Sequence, residues 1–333
     1  MMRSRVAAEQ PQRQAALERA TQVLQARSST DGSILDGELG SLADTFARQF
    51  GPDHDWSATR LESYRNCPFG FFVGTVLRLE PRPDPSEGLE SWQLGNIYHH
   101  MLERVYQAPE VDDPNDLQQL LAALPEIADA VLDAAPQQEG FRQTAWWEQT
   151  RAEIVEHVRS SLQALSALAQ GFVPWGHEVR FGMKGQTPLI LERGNDHLRL
   201  HGVIDRIDRA EGDRLRVIDY KTAGPSHFGK PYVRSGKKLQ LPLYALAARD
   251  ALALGQPVDG FYWHVQHAQP SGFTLRTFEG GVDAAMATAV DYAWQAVQGT
   301  RHGHFAPTPP REGCPGYCPA ATFCWHLCPG YGG

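Results

Sequence analysis

The sequence is poor in cysteine, carries no excess of basic charge and holds no long apolar run. Five cysteines in 333 residues are few and odd in number, which excludes a secreted disulfide scaffold. The formal charge of −8 argues against a protein that coats nucleic acid by charge alone. It leaves room for an enzyme on nucleic acid, because metal-binding carboxylates are themselves acidic. No stretch approaches the roughly 20 apolar residues that span a bilayer. The opening MMRSRVAAEQPQRQ has no apolar h-region. These absences set the expectation of a cytoplasmic protein with neither a secretory signal nor a membrane partner. What is present is ordinary: 42% apolar and 21% charged residues, enough for a sizeable core in one large domain or two modest ones.

Three regions are expected along the chain. Residues 1–50 read as a leader or linker, helical over 11–28 and broken by STDGS. Residues 51–306 read as the core and 307–333 as a Cys-rich tail. In the core, a helix through Leu61, Tyr64 and Arg65 stops before Pro68, and a second runs from Trp92 to Tyr106 with Leu94, Tyr98, Met101, Leu102 and Val105 as its apolar stripe. Helices are also expected over 115–133, 145–169, 238–254 and 282–298. Strands are expected over 177–182, 188–192, 197–208, 214–221, 260–266 and 272–278, with QPSG at 269–272 as a hairpin turn. The sum is an α/β fold, a mixed sheet flanked by helices.

The chemistry concentrates in HGVIDRIDRAEGDRLRVIDYKTA, residues 201–223. Strand side chains alternate, so Leu215, Val217, Asp219 and Lys221 share one face. Asp205 closes the preceding apolar run and can lie beside them across the ladder. Two carboxylates at adjacent strand ends are oxygen ligands for a hard divalent ion such as Mg2+ or Mn2+, and a lysine beside the ion completes the equipment for phosphodiester hydrolysis. The bland alternative is a pair of strand ends with solvated charges. Aspartates inside apolar runs weigh against it, since buried acids need partners: either arginines such as Arg206 or a metal. Three further features converge. Gly95 and His99 share a helix face, with His100 as a competing ligand. Gln240 and Tyr244 form a polar ridge on the helix after the DYK strand. Glu178 in HEVRF is either a third acid or an exposed strand residue. GPSHFGKP at 224–231 has phosphate-loop spacing, but Pro231 stands where a hydroxyl is needed. It reads instead as a basic loop, continued by Arg234, Lys237 and Lys238, that can touch a phosphate backbone.

Cys314, Cys318 and Cys324, with Cys328 beyond and Cys67 far upstream in YRNCPFGFF, have spacings that suit zinc or an iron–sulfur cluster. Spacing leaves open whether Cys67 joins or whether the four tail cysteines form the site alone. If Cys67 joins, the site clasps the N-terminal helix to the tail and closes a very long loop.

SATRLESYRNCPFGFF, LGNIYHHMLE, GVIDRID, VIDYKTA, LQLPLYALA and CPGYCPAATFC together resemble the PD-(D/E)XK nuclease superfamily, in its motif order and across residues 57–324. Within it they are similar to the C-terminal iron–sulfur nuclease domain of AddB-type helicase–nuclease subunits; RecB-like and CRISPR-associated iron–sulfur exonucleases are more distant. The resemblance implies a restriction-endonuclease-like fold with catalytic Mg2+ or Mn2+ on His99, Asp205 and Asp219. It implies Lys221 as general base or charge stabiliser, and Gln240 and Tyr244 as the Q-x-x-x-Y pair that supports the active site and DNA. Cys67, Cys314, Cys318 and Cys324 match the family's [4Fe-4S] ligands. One departure is the x3 spacing from Cys314 to Cys318, where the family usually shows x2, which keeps Cys328 in contention. The other is the near absence of the helicase-like region upstream, as in an excised domain or a standalone relative. The implied function is a metal-dependent exonuclease on DNA ends, preferably single-stranded, in double-strand-break repair beside a helicase–nuclease partner subunit. A catalytically silent DNA-binding or partner-docking module is the alternative.

Overall fold

Apolar stripes at helical spacing and alternating strand runs order most of the chain; the computed structural model describes residues 11–28, 33–80, 88–310 and 313–327. In chain order the elements are α1 (Pro11–Ser28), α2 (Ala43–Gln49), β1 (Asp55–Ser57), α3 (Ala58–Asn66) and α4 (Pro68–Phe71), which runs into a π turn at Phe72–Val76. Then come α5 (Ser91–Tyr106), α6 (Leu117–Gln138), α7 (Trp147–Ala167), β2 (Val173–Phe181), β3 (Leu189–Arg193), β4 (Asp196–Ala210) and β5 (Arg214–Lys221). Last are α8 (Lys230–Arg234), α9 (Gln240–Asp250), β6 (Gln256–His264), β7 (Gln269–Thr274) and α10 (Gly281–Arg301). They fall into two units. One comprises residues 55–62 and 82–294; the other comprises 1–54, 63–81 and 295–333.

The larger unit is built on a mixed sheet in the order β1-β4-β5-β6-β7, with β2 and β3 also paired to β4. The N-terminal half of β4 pairs with β1 in parallel and β3 antiparallel; its C-terminal half pairs antiparallel with β2 and β5. β5 and β6 are parallel, so a crossover must join them, and α9 lies in it. Ile218, Tyr220, Phe261, Trp263 and Val265 pack with the buried faces of α5, α6 and α7. Leu241 of α9 lies near Gly260 of β6, where an added Cβ would stand 3.3 Å from its Cδ1. Each fully buried side chain of this kind, Trp263 or Leu102 for example, contributes on the order of 1.5–3 kcal/mol.

Three expectations change. QPSG is strand: Pro270 pairs opposite Trp263. Because β7 ends the strand order, a residue without an N–H is tolerated there. The turn falls earlier, at Val265–His267, and closes on Ala268 with φ +46; residues 275–277 are 3-10 helix rather than strand. The helix expected to end at 133 continues to Gln138 through Pro125 and Pro136. Burial of Leu120, Leu124, Val131, Leu132 and Ala135 outweighs roughly 3 kcal/mol per interior proline.

The smaller unit has an aromatic core. Phe46, Phe71, Phe72, Tyr64 and Phe305 make edge and stacked contacts at 4.8–6.5 Å. The Tyr64 hydroxyl donates to His304 O at 2.7 Å, and Phe305 N donates to Gly37 O at 2.8 Å. Gly37 has φ +103, and a Cβ there would lie 2.3 Å from Phe305 O, so no other residue fits. Among the described residues no helix is long and apolar enough to cross a membrane.

Candidate active site and cysteine cluster

The β4–β5 ladder is last paired at Arg206↔Ile218, which makes Asp205 and Asp219 the next residues along the same register. Beyond that pair the strands are bridged by a side chain: Tyr220 N donates to Asp205 Oδ2 at 2.6 Å. On the other edge of β4, the pairs His177↔Arg206 and Val179↔Ile204 place Glu178 across from Asp205. α5 supplies His99, whose Nδ1 is 3.2 Å from Glu178 Oε1 and 3.6 Å from Asp205 Oδ1. One ligand atom from each of these three residues lies within 4.8 Å of the others. His100, the competing neighbour, is exposed.

Glu178 is the participant that sequence reasoning left undecided. Its φ is +49, the left-handed region that a non-glycine residue occupies at a cost of roughly 1–2 kcal/mol. Such strain persists where surroundings enforce it, and it clusters at functional sites. Glu178→Gly is therefore expected to raise the thermal stability of the metal-free protein while weakening Mn2+ binding. Melting curves with and without Mn2+ check both halves; a stability loss without metal would contradict the strain argument.

Lys221 and Asp219 project from one strand face, as alternation requires, and their side chains form an ion pair. Asp219 is fully buried, and its Oδ1 accepts no hydrogen bond. Lys221 Nζ also donates to Gln240 Oε1 at 3.0 Å, and Gln240 Nε2 donates to the Tyr244 hydroxyl at 3.3 Å. The N-terminus of α9 is held by Glu62, a residue the sequence did not single out. Its Oε1 accepts from Leu239 N at 2.6 Å and from Gln240 N at 2.9 Å. A carboxylate at that end of a helix satisfies orphan donors and faces the positive end of the dipole. Tyr244 also explains the glycine of GVIDRID: a Cβ on Gly202 would stand 2.9 Å from its ring.

The electrostatics are those of crowded carboxylates. Burial raises the Asp205 pKa to about 7, opposed by His99 and reinforced by Asp219 and Glu178. Burial alone would lower that of His99, but Asp205, Glu178 and Asp219 raise it to about 9. Burial would likewise lower Lys221, but Asp219 and Asp205 hold it above its ordinary value, so it keeps its proton at neutral pH. A buried carboxylate with a raised pKa, beside a second carboxylate and a histidine whose ligand atoms lie within 4.8 Å of one another, is a group that could hold a divalent cation. One buried carboxylate oxygen without a donor fits the same use.

Arg206, the alternative partner expected for the buried aspartates, does not reach Asp205, which lies beside His99 and Glu178. Asp208, fully buried, is the one that pairs with Arg206, at 2.6 Å, and it also takes Arg216 at 2.7 Å. Arg206 also donates to the Tyr106 hydroxyl at 2.7 Å, and Arg216 to Leu168 O at 2.9 Å. The basic loop is largely paired: Lys230 and Arg234 meet Glu279, and Lys238 meets Glu62.

In the smaller unit Cys67, Cys314, Cys318 and Cys324 are half-buried and free. Burial raises the pKa of Cys318 and Cys324, and each is raised further by Cys67 and Cys314. The segments that carry them touch: Phe69 and Phe323 meet edge to face at 6.2 Å, and a Cβ on Gly74 would lie 3.2 Å from Pro319 Cγ. Cys328 lies outside the described residues.

A mixed sheet flanked by helices, bearing acids and a lysine where β4 and β5 part, is a restriction-endonuclease-like core. A profile of the PD-(D/E)XK nuclease superfamily matches residues 55–325, and the chain belongs to that superfamily. Curated relatives named as subunits of an ATP-dependent helicase/deoxyribonuclease are similar to it. The one from Caldanaerobacter subterraneus is 26% identical over 254 residues, 71% of this chain and 21% of the relative. That from Desulforudis audaxviator is 30% identical over 238 residues, 66% and 20%, and that from Geobacillus thermodenitrificans 31% over 188 residues, 53% and 16%. The chain thus spans 21% or less of the length of these relatives.

Proposed function

We propose that the chain is a divalent-metal-dependent deoxyribonuclease that degrades DNA from ends, preferably single-stranded ones, in double-strand-break repair. The observation that carries this is the convergence of His99, Glu178, Asp205 and the Asp219–Lys221 pair at one strand end. His99 and Asp205, with Glu178 or Asp219, would hold Mg2+ or Mn2+. Bound there, the cation would polarise a phosphoryl oxygen and lower the pKa of a water. Hydrolysis joins a water oxygen to phosphorus and breaks one P–O ester bond. The residues contribute position and charge to that exchange. Lys221 enters as an ammonium, which favours charge stabilisation over a general-base role, and it sits where negative charge grows. Gln240, fixed by Tyr244 and by the Glu62 cap, keeps that ammonium aimed. The relatives' names favour a helicase-bearing partner subunit. End-labelled single-stranded DNA is expected to be degraded with Mn2+ and left intact in excess EDTA. Degradation in EDTA, or none with metal, rejects the reading.

The four cysteines support a structural [4Fe-4S] cluster. Cys318 and Cys324 each feel the charge of Cys67 and Cys314, which favours one shared centre over separate sites. Anaerobically purified protein is expected to be brown, and Cys67→Ala to lose that absorbance and its iron. A colourless anaerobic preparation with stoichiometric zinc would exclude the cluster.

A further inference from the structure

Trp92 is 58% exposed in the first turns of α5, a large aromatic surface left in solvent. It lies seven residues before His99. Seven residues are close to two helical turns, so the two side chains leave α5 on the same face, about 10 Å apart along the axis. Between them on that face stand Gly95 and Asn96. Gly95 has no side chain, and an added Cβ would stand 3.7 Å from Thr222 Cγ2, so the residue that follows β5 packs close against the helix there. Asn96 is drawn aside, its Nδ2 donating to Glu139 Oε2 at 2.9 Å. The Trp92 indole is itself pinned, with Nε1 donating to Glu90 Oε2 at 2.6 Å, and Glu90 is fixed in turn by its capping box with Gln93. A held, exposed ring and, two turns further on, the histidine of the carboxylate–histidine trio lie along one helix face.

We infer that Trp92 is a stacking platform for a base of single-stranded nucleic acid whose backbone runs along α5 into the trio. The inference rests on the nuclease reading of that trio. A separation of about 10 Å spans one to two nucleotides of extended strand. Aromatic stacking accepts any base, because every base presents a π face. The indole hydrogen bond keeps the ring in place before the strand arrives, so little rotamer freedom is lost on binding.

The molecule supplies its own control. Trp146 is 71% exposed but belongs to a different surface, a groove that it lines with Leu89, Leu94 and Thr150; Leu94 leaves α5 on the side away from Trp92. The experiment uses the full chain with Mn2+ and two substrates. One is a labelled oligothymidylate; the other is methyl p-nitrophenyl phosphate, a phosphodiester without a base. Trp92→Ala is expected to raise KM for the oligonucleotide roughly tenfold, with kcat and hydrolysis of the baseless ester unchanged. Trp92→Phe keeps most of the affinity, and Trp146→Ala behaves as the unsubstituted protein. An unchanged KM in Trp92→Ala, or an equal loss in Trp146→Ala, overturns the platform. Asp205→Asn separates this from the parent reading: if it still cleaves both substrates, the trio is not the active site, whatever Trp92 does.

Discussion

Asp205→Asn is expected to reduce Mn2+-dependent DNA cleavage by about three orders of magnitude or more. Loss of metal-assisted charge stabilisation costs several kcal/mol, and each 1.36 kcal/mol is about tenfold in rate. The amide is chosen because its oxygen can still accept from Tyr220 N, the bond that bridges β4 and β5 past their last pair. The strand end therefore stays built while the proposed metal ligand weakens. Stability should move the other way. Burial and the neighbouring carboxylates raise the Asp205 pKa to about 7, above its value in an unfolded chain, so the folded protein favours the protonated form. Ionised Asp205 then lowers metal-free stability, progressively as pH rises from about 4 toward that raised value. The neutral amide removes this penalty. Metal-free Asp205→Asn should melt higher than the unsubstituted protein at neutral pH and gain less from Mn2+. Thermal melts in EDTA and in Mn2+, run beside the cleavage assay, read all three effects. An inactive variant that also melts lower in EDTA would point to a structural collapse and remove the support for Asp205 as a ligand.

Asp208→Asn is the complementary case, expected to cost stability on the scale of a broken buried ion pair. Asp208 sits between Arg206 and Arg216, all three at 5% exposure or less. Removing the anion leaves two guanidinium groups buried without a countercharge, about 3–5 kcal/mol. Denaturant unfolding of the full chain measures it, and a loss below about 1 kcal/mol would show that Tyr106 and the Leu168 carbonyl suffice. The pH dependence has the opposite sign to that of Asp205. Burial would raise the Asp208 pKa, but Arg206 and Arg216 together depress it below the ordinary carboxylate value. Its contribution is present above the unfolded value near 4 and fades only as pH falls through the lower folded value. In Asp208→Asn that acid-labile part of the stability curve should be missing.

The DYK segment was readable because two-residue alternation is a local property. Asp219 and Lys221 had to share a face once 214–221 became a strand, and four-residue spacing put Gln240 beside Tyr244 on α9. Helix periodicity likewise revealed α5 and α7, though a stripe cannot show where a helix stops when packing outweighs its prolines, as in α6. Punctuation misled at QPSG, since proline and glycine mark a turn only where the neighbouring strand needs the missing N–H.

Cross-strand partnerships lay beyond local pattern. Glu178 and Asp205 stand 27 positions apart, and only the β2–β4 register, with Glu178 held left-handed, turns two strand acids into one site. Asp205 and Asp208 read alike in GVIDRIDR, both after apolar residues. An offset of three sends their side chains to opposite faces of β4, so one carboxylate meets His99 and the other two arginines. Sequence determined which residues were equipped for the chemistry, because side-chain type and local period belong to the chain itself. Tertiary structure decided which of them share a solvent-poor space, because register, burial and the capping of α9 by Glu62 depend on segments that are distant along the chain.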